Sequence, residues 1–130
     1  MSGTDTAHPG MDYMDLLGDL DAGRIAWDSE MEGVRAKVLQ LTDDLYVAIE
    51  QWDAGFTIPF LDKHGGHEYI YVIRGSVTDE NGTSGAGTLQ CFEPDTSHRP
   101  GTKEGSTTLV FRRLAAGERE GLMAYYKLGA

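Results

Sequence analysis

The sequence predicts an all-β fold, an antiparallel sandwich or small barrel with a short helix ahead of it. Strand-length runs of alternating or continuous apolar residues follow one another from Gly33 onward. Turn signals separate them, and helical periodicity is almost absent after residue 24. Seventeen glycines make tight turns plentiful.

In chain order, residues 1–10 (MSGTDTAHPG) are small and polar and are expected to form a terminal arm. Residues 11–32 form a helix and a connection. MDYMDLLGDL spaces Met11, Met14 and Leu17 by three, with Leu20 next, which suits a short amphipathic helix despite Gly18. Its apolar face needs a cover, either the domain itself or a second copy. Residues 33–130 are the β-domain, with strands expected in VRAKVLQL, LYVAIEQW, EYIYVIRGSVTDE, TLQCFEP, TTLVFRRL and, near the C-terminus, MAYYKL. Glu80-Asn81-Gly82 signals a tight turn and Gly85-Ala86-Gly87 another break.

At 130 residues the chain is expected to be one domain with one core. Eleven Lys and Arg against 21 Asp and Glu give a formal charge of -10, which repels phosphate backbones and anionic membranes. Neither nucleic acid nor membrane is expected as a partner. Cys91 is the only cysteine, so neither an internal disulfide nor a Cys-pair zinc site can form. The N-terminus lacks the basic and apolar regions of a signal peptide, and a reduced cytoplasmic setting fits best.

DKHGGHEYIYVIRG, Asp62 to Gly75, carries the sharpest chemical signal, together with His98 in EPDTSHRPG. His64, Glu68 and His98 offer two imidazoles and one carboxylate. That set suits a borderline divalent metal and, with open positions left, is the arrangement of non-haem Fe(II) oxygenases. Gly65 and Gly66 allow the backbone bend that lets His64 and Glu68 converge. Glu68 heads an apolar run, where an unpaired carboxylate is costly; a metal would neutralise it, and an ion pair with Arg74 or Arg112 is the rival. Arg112 and Arg113 are adjacent on a strand, so one should face inward, although an exposed basic pair is the default expectation. Cys91 reads as a buried packing residue. The aromatics read as core or rim, some of them lining a pocket for a small organic ligand.

HGGHEYIYVIRG resembles the first motif of the cupin superfamily, in which a histidine pair is followed by glutamate and then glycine; His64, Glu68 and Gly75 stand at the matching intervals. GAGTLQCFEPDTSH resembles the second cupin motif, with Gly87, Pro94 and His98 in its places. The fuller run, DENG after the first motif and PDTSHRP in the second, is similar to the cupin domain of ChrR-type anti-sigma factors. It is also similar to small dioxygenases that cleave diketones or hydroxyketones. The similarity runs from about residue 33 to about residue 113.

The resemblance implies a double-stranded β-helix, a jelly-roll barrel of two antiparallel sheets, with a metal held inside by three histidines and one glutamate. His64, Glu68 and His98 take three of those places, and Asp62 stands where the first histidine would be. On a strand Asp62 and His64 would share a face. Asp62 is then a fourth ligand favouring Fe(II) or Mn(II), or a proton acceptor beside a three-residue site, or the mark of a degenerate site. His67 is a possible substitute, although next to Glu68 it would point the other way.

The function expected is a metal-dependent enzyme on a small organic substrate, foremost an Fe(II) dioxygenase cleaving a diketone or hydroxyketone. Mn(II), Zn(II) and Ni(II) are the other candidate metals, and Asp62 and Glu68 are expected to serve the chemistry. An isomerase, cyclase or lyase that uses no oxygen, and a non-catalytic sensor, are the alternatives. ChrR-type factors carry an N-terminal zinc-binding helical domain, whereas residues 1–32 hold one His and no Cys, so the sigma-binding half is expected to be absent. A homodimer is also expected, since cupins often pair.

Overall fold

The computed structural model describes residues 14–129. The arm expected at residues 1–10 and the start of the helix expected at Met11 lie outside these. The helix α1 spans Leu16–Asp21, and Asp15 caps it by accepting from the Gly18 amide at 3.2 Å. Nine strands follow: β1 (Ser29–Met31), β2 (Val34–Leu41), β3 (Leu45–Trp52), β4 (Asp62–Lys63), β5 (Glu68–Asp79), β6 (Gly82–Gly85), β7 (Leu89–Phe92), β8 (Ser97–His98) and β9 (Ser106–Arg113). Helix α2, Glu118–Tyr126, comes last.

One sheet runs β1-β2-β3-β9-β5-β6 with β7 also paired to β5, and a small second sheet pairs β4 with β8. All pairings are antiparallel. The register stacks the inward side chains in rows across the central strands. Tyr46, Arg112 and Glu68 lie in one row, Ala48, Val110 and Ile70 in the next, and Glu50, Thr108 and Val72 in the third. Val34, Ala36, Tyr46, Ala48, Ile70, Val110, Leu114 and Tyr126 are buried together as the core. A cavity of about 310 Å3 opens beside the core, lined by Tyr46, Ile70 and Val110 and reaching from Asp62 and Glu68 to Glu50.

Two local irregularities position the site. A β-bulge between Val72 and Arg74 shifts the β5–β9 register by one. Because side chains alternate with period two, the inward face passes from Glu68, Ile70 and Val72 to the odd-numbered residues beyond the bulge, so Val77 lines the cavity and Asp79 reaches His98. Just past the bulge Gly75 has φ +73°, and a Cβ there would collide with the Gly105 carbonyl. Only glycine fits at that position.

The structure corrects three expectations. MAYYKL is the end of helix α2, not a strand: Leu122, Tyr125 and Tyr126 share one helical face and pack on the core, and Lys127 ends the helix at φ 55°. Cys91 is exposed, because β7 has one uncovered face and Cys91 pairs there with outward Tyr69. By contrast, the bend expected at Gly65 and Gly66 is present, and it is made without positive φ. What they provide is space: a Cβ on Gly66 would lie 2.7 Å from the Arg113 carbonyl oxygen, and one on Gly65 would meet the Glu118 carboxylate. Finally, Arg112 and Arg113 are not an exposed pair; only Arg113 faces out, while Arg112 points into the cavity.

Candidate metal centre

Asp62, His64, Glu68 and His98 come together, each offering one donor atom, and the four atoms lie within 4.8 Å of one another; Asp62 and Glu68 also line one end of the cavity. The β4–β8 pairing sets Asp62 directly across from His98. His64 follows two residues after Asp62 and is held by ladder-like bonds, its amide donating to Thr96 O at 2.9 Å and its carbonyl accepting from Asp95 N at 2.9 Å. Glu68 opens β5 opposite Phe92 and Arg112. The Phe92 ring lies 4.8 Å from the His64 ring and 4.4 Å from the His98 ring, so both imidazoles are packed as well as bonded. His67 is exposed and stacks on Tyr69, away from the cluster.

Hydrogen bonding fixes which nitrogen each histidine turns inward. Thr96 Oγ1 donates to the Glu93 carbonyl at 2.6 Å, so toward His64 Nδ1, 2.9 Å away, it can only accept. His64 Nδ1 therefore carries the hydrogen. His98 Nδ1 lies 3.0 Å from Asp79 Oδ2, an acceptor, and carries its hydrogen there too. Both rings turn Nε2 into the cluster. Those two nitrogens and Glu68 Oε1 are buried with no hydrogen-bond partner, although His64 Nε2 and Glu68 Oε1 approach to 3.0 Å.

Buried polar atoms without partners are costly, and three aimed at one point are best explained by a shared ligand. Asp62 Oδ2 stands 3.6 Å from both Nε2 atoms. Donors bound to one ion at about 2.1 Å lie roughly 3.0–3.5 Å apart. The four side chains thus fit a divalent cation, with the Asp62 contacts slightly long.

The electrostatics call for the same charge. Burial pulls the His64 imidazole down, but the facing carboxylates of Asp62 and Glu68 outweigh it and raise the ring to about 9. His98 is raised likewise, burial being overcome by Asp62 and Asp79. Burial pushes Asp62 up, yet His64, His98 and Arg112 together hold it well below the usual carboxylate range. Without a cation the cluster draws protons onto its imidazoles; a metal would displace them. Arg112 Nη1 bonds Asp62 Oδ1 at 2.9 Å and lies 3.7 Å from Glu68 Oε2, while Nη2 reaches Glu118 on α2 at 3.2 Å. The other oxygen of Asp62 is therefore left for the cluster. Arg74, the alternative partner considered for Glu68, pairs instead with Asp21 at 2.6 Å.

Residues 19–116 match the family described as the ChrR cupin-like domain. The chain belongs to that family. Its fold is the cupin jelly roll, and among solved structures it is similar to a chain of the Rhodobacter sphaeroides complex of SigE with the anti-sigma ChrR. That match has 22% identity and a TM-score of 0.59 and covers 68% of this chain and 48% of that one, so this chain spans about half the length of its relative. It is also similar to a candidate acetylacetone dioxygenase from Methylibium petroleiphilum PM1, with 13% identity, a TM-score of 0.68 and coverage of 92% and 96%. An RmlC-like cupin from Ralstonia eutropha JMP134 gives 17% identity, a TM-score of 0.64 and coverage of 83% of both chains. No curated protein matches. At these identities the solved structures speak to the fold alone.

Sequence reasoning missed Thr96 and Asp79, which orient the two cupin histidines; it named Arg112 as a possible partner of Glu68 but not as the inward member of its pair. Parity could not have picked out Arg112, because TTLVFRRL is apolar on both faces. Asp79 was hidden by the bulge, which reverses the face that simple alternation from Glu68 assigns it.

Proposed function

We propose that this cupin is a metal-dependent enzyme acting on a small organic molecule, with Fe(II) held by His64, Glu68, His98 and Asp62, and that it cleaves a diketone or hydroxyketone with dioxygen. The observation that carries the proposal is the convergence of buried, partnerless Nε2 and carboxylate atoms on two carboxylates, Asp62 and Glu68, that line a cavity large enough for a small molecule. The Methylibium relative, described as a candidate acetylacetone dioxygenase, supports the substrate class. A bound ion of this kind supplies Lewis-acid polarisation of a chelating substrate and, if Fe(II), electrons for dioxygen.

The protein's own groups do the rest. Asp79 and Thr96 hold the imidazoles in the tautomer that presents Nε2. His64, His98 and Arg112 together keep Asp62 ionised, which makes Asp62 a weak base and favours its role as a ligand over that of proton acceptor. Ile58, Ile70, Val110 and Leu122 line the cavity and limit water around a bound substrate. A homodimer belongs to the same proposal. Tyr69, Tyr71, Leu89 and Phe111 are exposed on the paired strands β5, β7 and β9, a surface suited to a second copy, and sedimentation would show a dimer.

Metal analysis of freshly purified protein, followed by oxygen uptake with acetylacetone and related ketones, tests the activity. Iron near one equivalent and ketone-dependent oxygen consumption are expected; protein that binds no divalent metal would overturn the proposal. The family match favours one other reading, a sensor module like the ChrR cupin domain. Retained metal with no turnover of any ketone would favour that reading, or an oxygen-independent lyase or isomerase.

A further inference from the structure

The cavity has a second polar end that the metal cluster does not use. Glu50 lies in the inward row two rows from Arg112 and Glu68, flanked across the strands by Ala36 and Thr108. It is 7% exposed and lines the same cavity as Asp62 and Glu68. Its carboxylate accepts from Tyr46 Oη at 2.9 Å and from Trp52 Nε1 at 3.3 Å, and the Tyr126 hydroxyl on α2 also bonds to it. These donors are all uncharged, and among the described residues no Lys or Arg pairs with Glu50. Apolar Ile70 and Val110 occupy the row between the two ends.

A carboxylate accepts about four hydrogen bonds, so three donors leave one acceptor position open. A group kept only for packing would be better apolar here, because burying a carboxylate beside uncharged donors is costly. Burial does push the Glu50 carboxyl up to about 7, against the pull of its Tyr126, Tyr46 and Trp52 bonds. Glu50 lines the cavity together with Trp52, Thr108 and Tyr126, so a ligand atom in the cavity can reach the free position.

We propose that Glu50, framed by Tyr46, Trp52 and Tyr126, is a second binding subsite that recognises a hydrogen-bond donor, hydroxyl or ammonium, on the end of the substrate remote from the metal cluster. The proposal rests on the reading of that cluster as a metal site. It narrows the substrate to a short molecule with a chelating pair of oxygens at one end, an apolar middle and a donor at the other end. A simple alkyl diketone would occupy the metal end and leave Glu50 unused.

The test uses hydroxamates as probes, because they chelate a protein-bound divalent metal whatever reaction the protein catalyses. Full-length protein loaded with Fe(II) or Mn(II) is titrated anaerobically with alkyl hydroxamates of three to six carbons and with their ω-hydroxy and ω-amino analogues. Calorimetry and the tryptophan fluorescence, to which Trp27 and Trp52 both contribute, follow binding. At the best chain length the ω-substituted probe is expected to bind at least about tenfold tighter than the plain one, the value of one charge-assisted hydrogen bond. The hydroxy and amino arms show which donor is preferred.

Glu50→Gln should erase that preference while metal content and the affinity of the plain hydroxamate stay unchanged. Glu50→Ala and a melting curve guard against a variant that is merely misfolded. Equal affinities for plain and substituted probes in the wild-type protein would overturn the subsite and leave the metal site standing. Protein that holds no metal would overturn the metal reading and the subsite with it.

Discussion

At one end of the cavity Asp62 and Glu68 face two imidazoles and a guanidinium; at the other, Glu50 faces two phenols and an indole. Both ends take carboxylates out of water, but they are satisfied differently. The Glu50 end rests on neutral donors from rigid aromatic side chains of β3 and α2. The Asp62 end leaves Nε2 atoms and a carboxylate oxygen without partners, and its side chains come from a two-residue strand pair, the loop before β5 and the first residue of β5. The first is built to stand in the absence of any ion, the second to receive a positive charge. Charge dependence should therefore separate the two ends.

The largest effect is expected from Arg112→Ala. It removes the cation beside Asp62 and Glu68 and should destabilise the metal-free protein by about 3–5 kcal/mol, the range for breaking a buried pair. Saturating Mn(II) should recover part of that loss in a denaturant melt. Equal losses with and without metal would mean that the ion does not share Arg112's carboxylates.

His98→Ala should lower metal affinity by at least about 100-fold, more than loss of a supporting residue does. Unchanged metal content by elemental analysis would remove His98 from the ligand set.

The pH dependence follows from His64, which is raised from 6.5 to about 9 and is therefore protonated in the metal-free protein across neutral pH. Metal must displace that proton, so affinity should climb by up to about tenfold per pH unit from 7 to 9 and level off above. In the metal-free protein the same shift contributes stability that is full below 6.5 and lost as pH rises through about 9. A flat chelator-competition profile over that range would exclude His64 as a ligand.

Asp79→Asn should weaken metal binding by about tenfold, because an amide still reaches His98 Nδ1 but no longer as a charged acceptor. The smallest effect belongs to the other end. Tyr46→Phe should cost about 1–2 kcal/mol by leaving Glu50 one donor short, with metal affinity unmoved. A change in metal affinity would show the two ends to be coupled.

Much of this was legible along the chain. VRAKVLQL and LYVAIEQW coincide with β2 and β3, and EYIYVIRGSVTDE overruns β5 by one residue, because β-branched and aromatic runs bounded by turn residues have few other stable conformations. MAYYKL failed for the complementary reason: its tyrosines favour a strand locally, but packing of Leu122, Tyr125 and Tyr126 on the core decides for helix. His64, Glu68 and His98 could be named in advance because two motifs constrain each other.

By itself the sequence determined the β-rich class, the cupin motifs and the residue types of the candidate metal cluster, since hydrophobic period and short spacings are local properties of a chain. Only the tertiary structure decided that Asp62 sits across from His98, that the bulge turns Asp79 onto the same ring, that Arg112 rather than Arg113 faces inward, and that Glu50 shares their cavity. Each of these depends on strand register, and register is fixed by pairings between segments far apart in sequence.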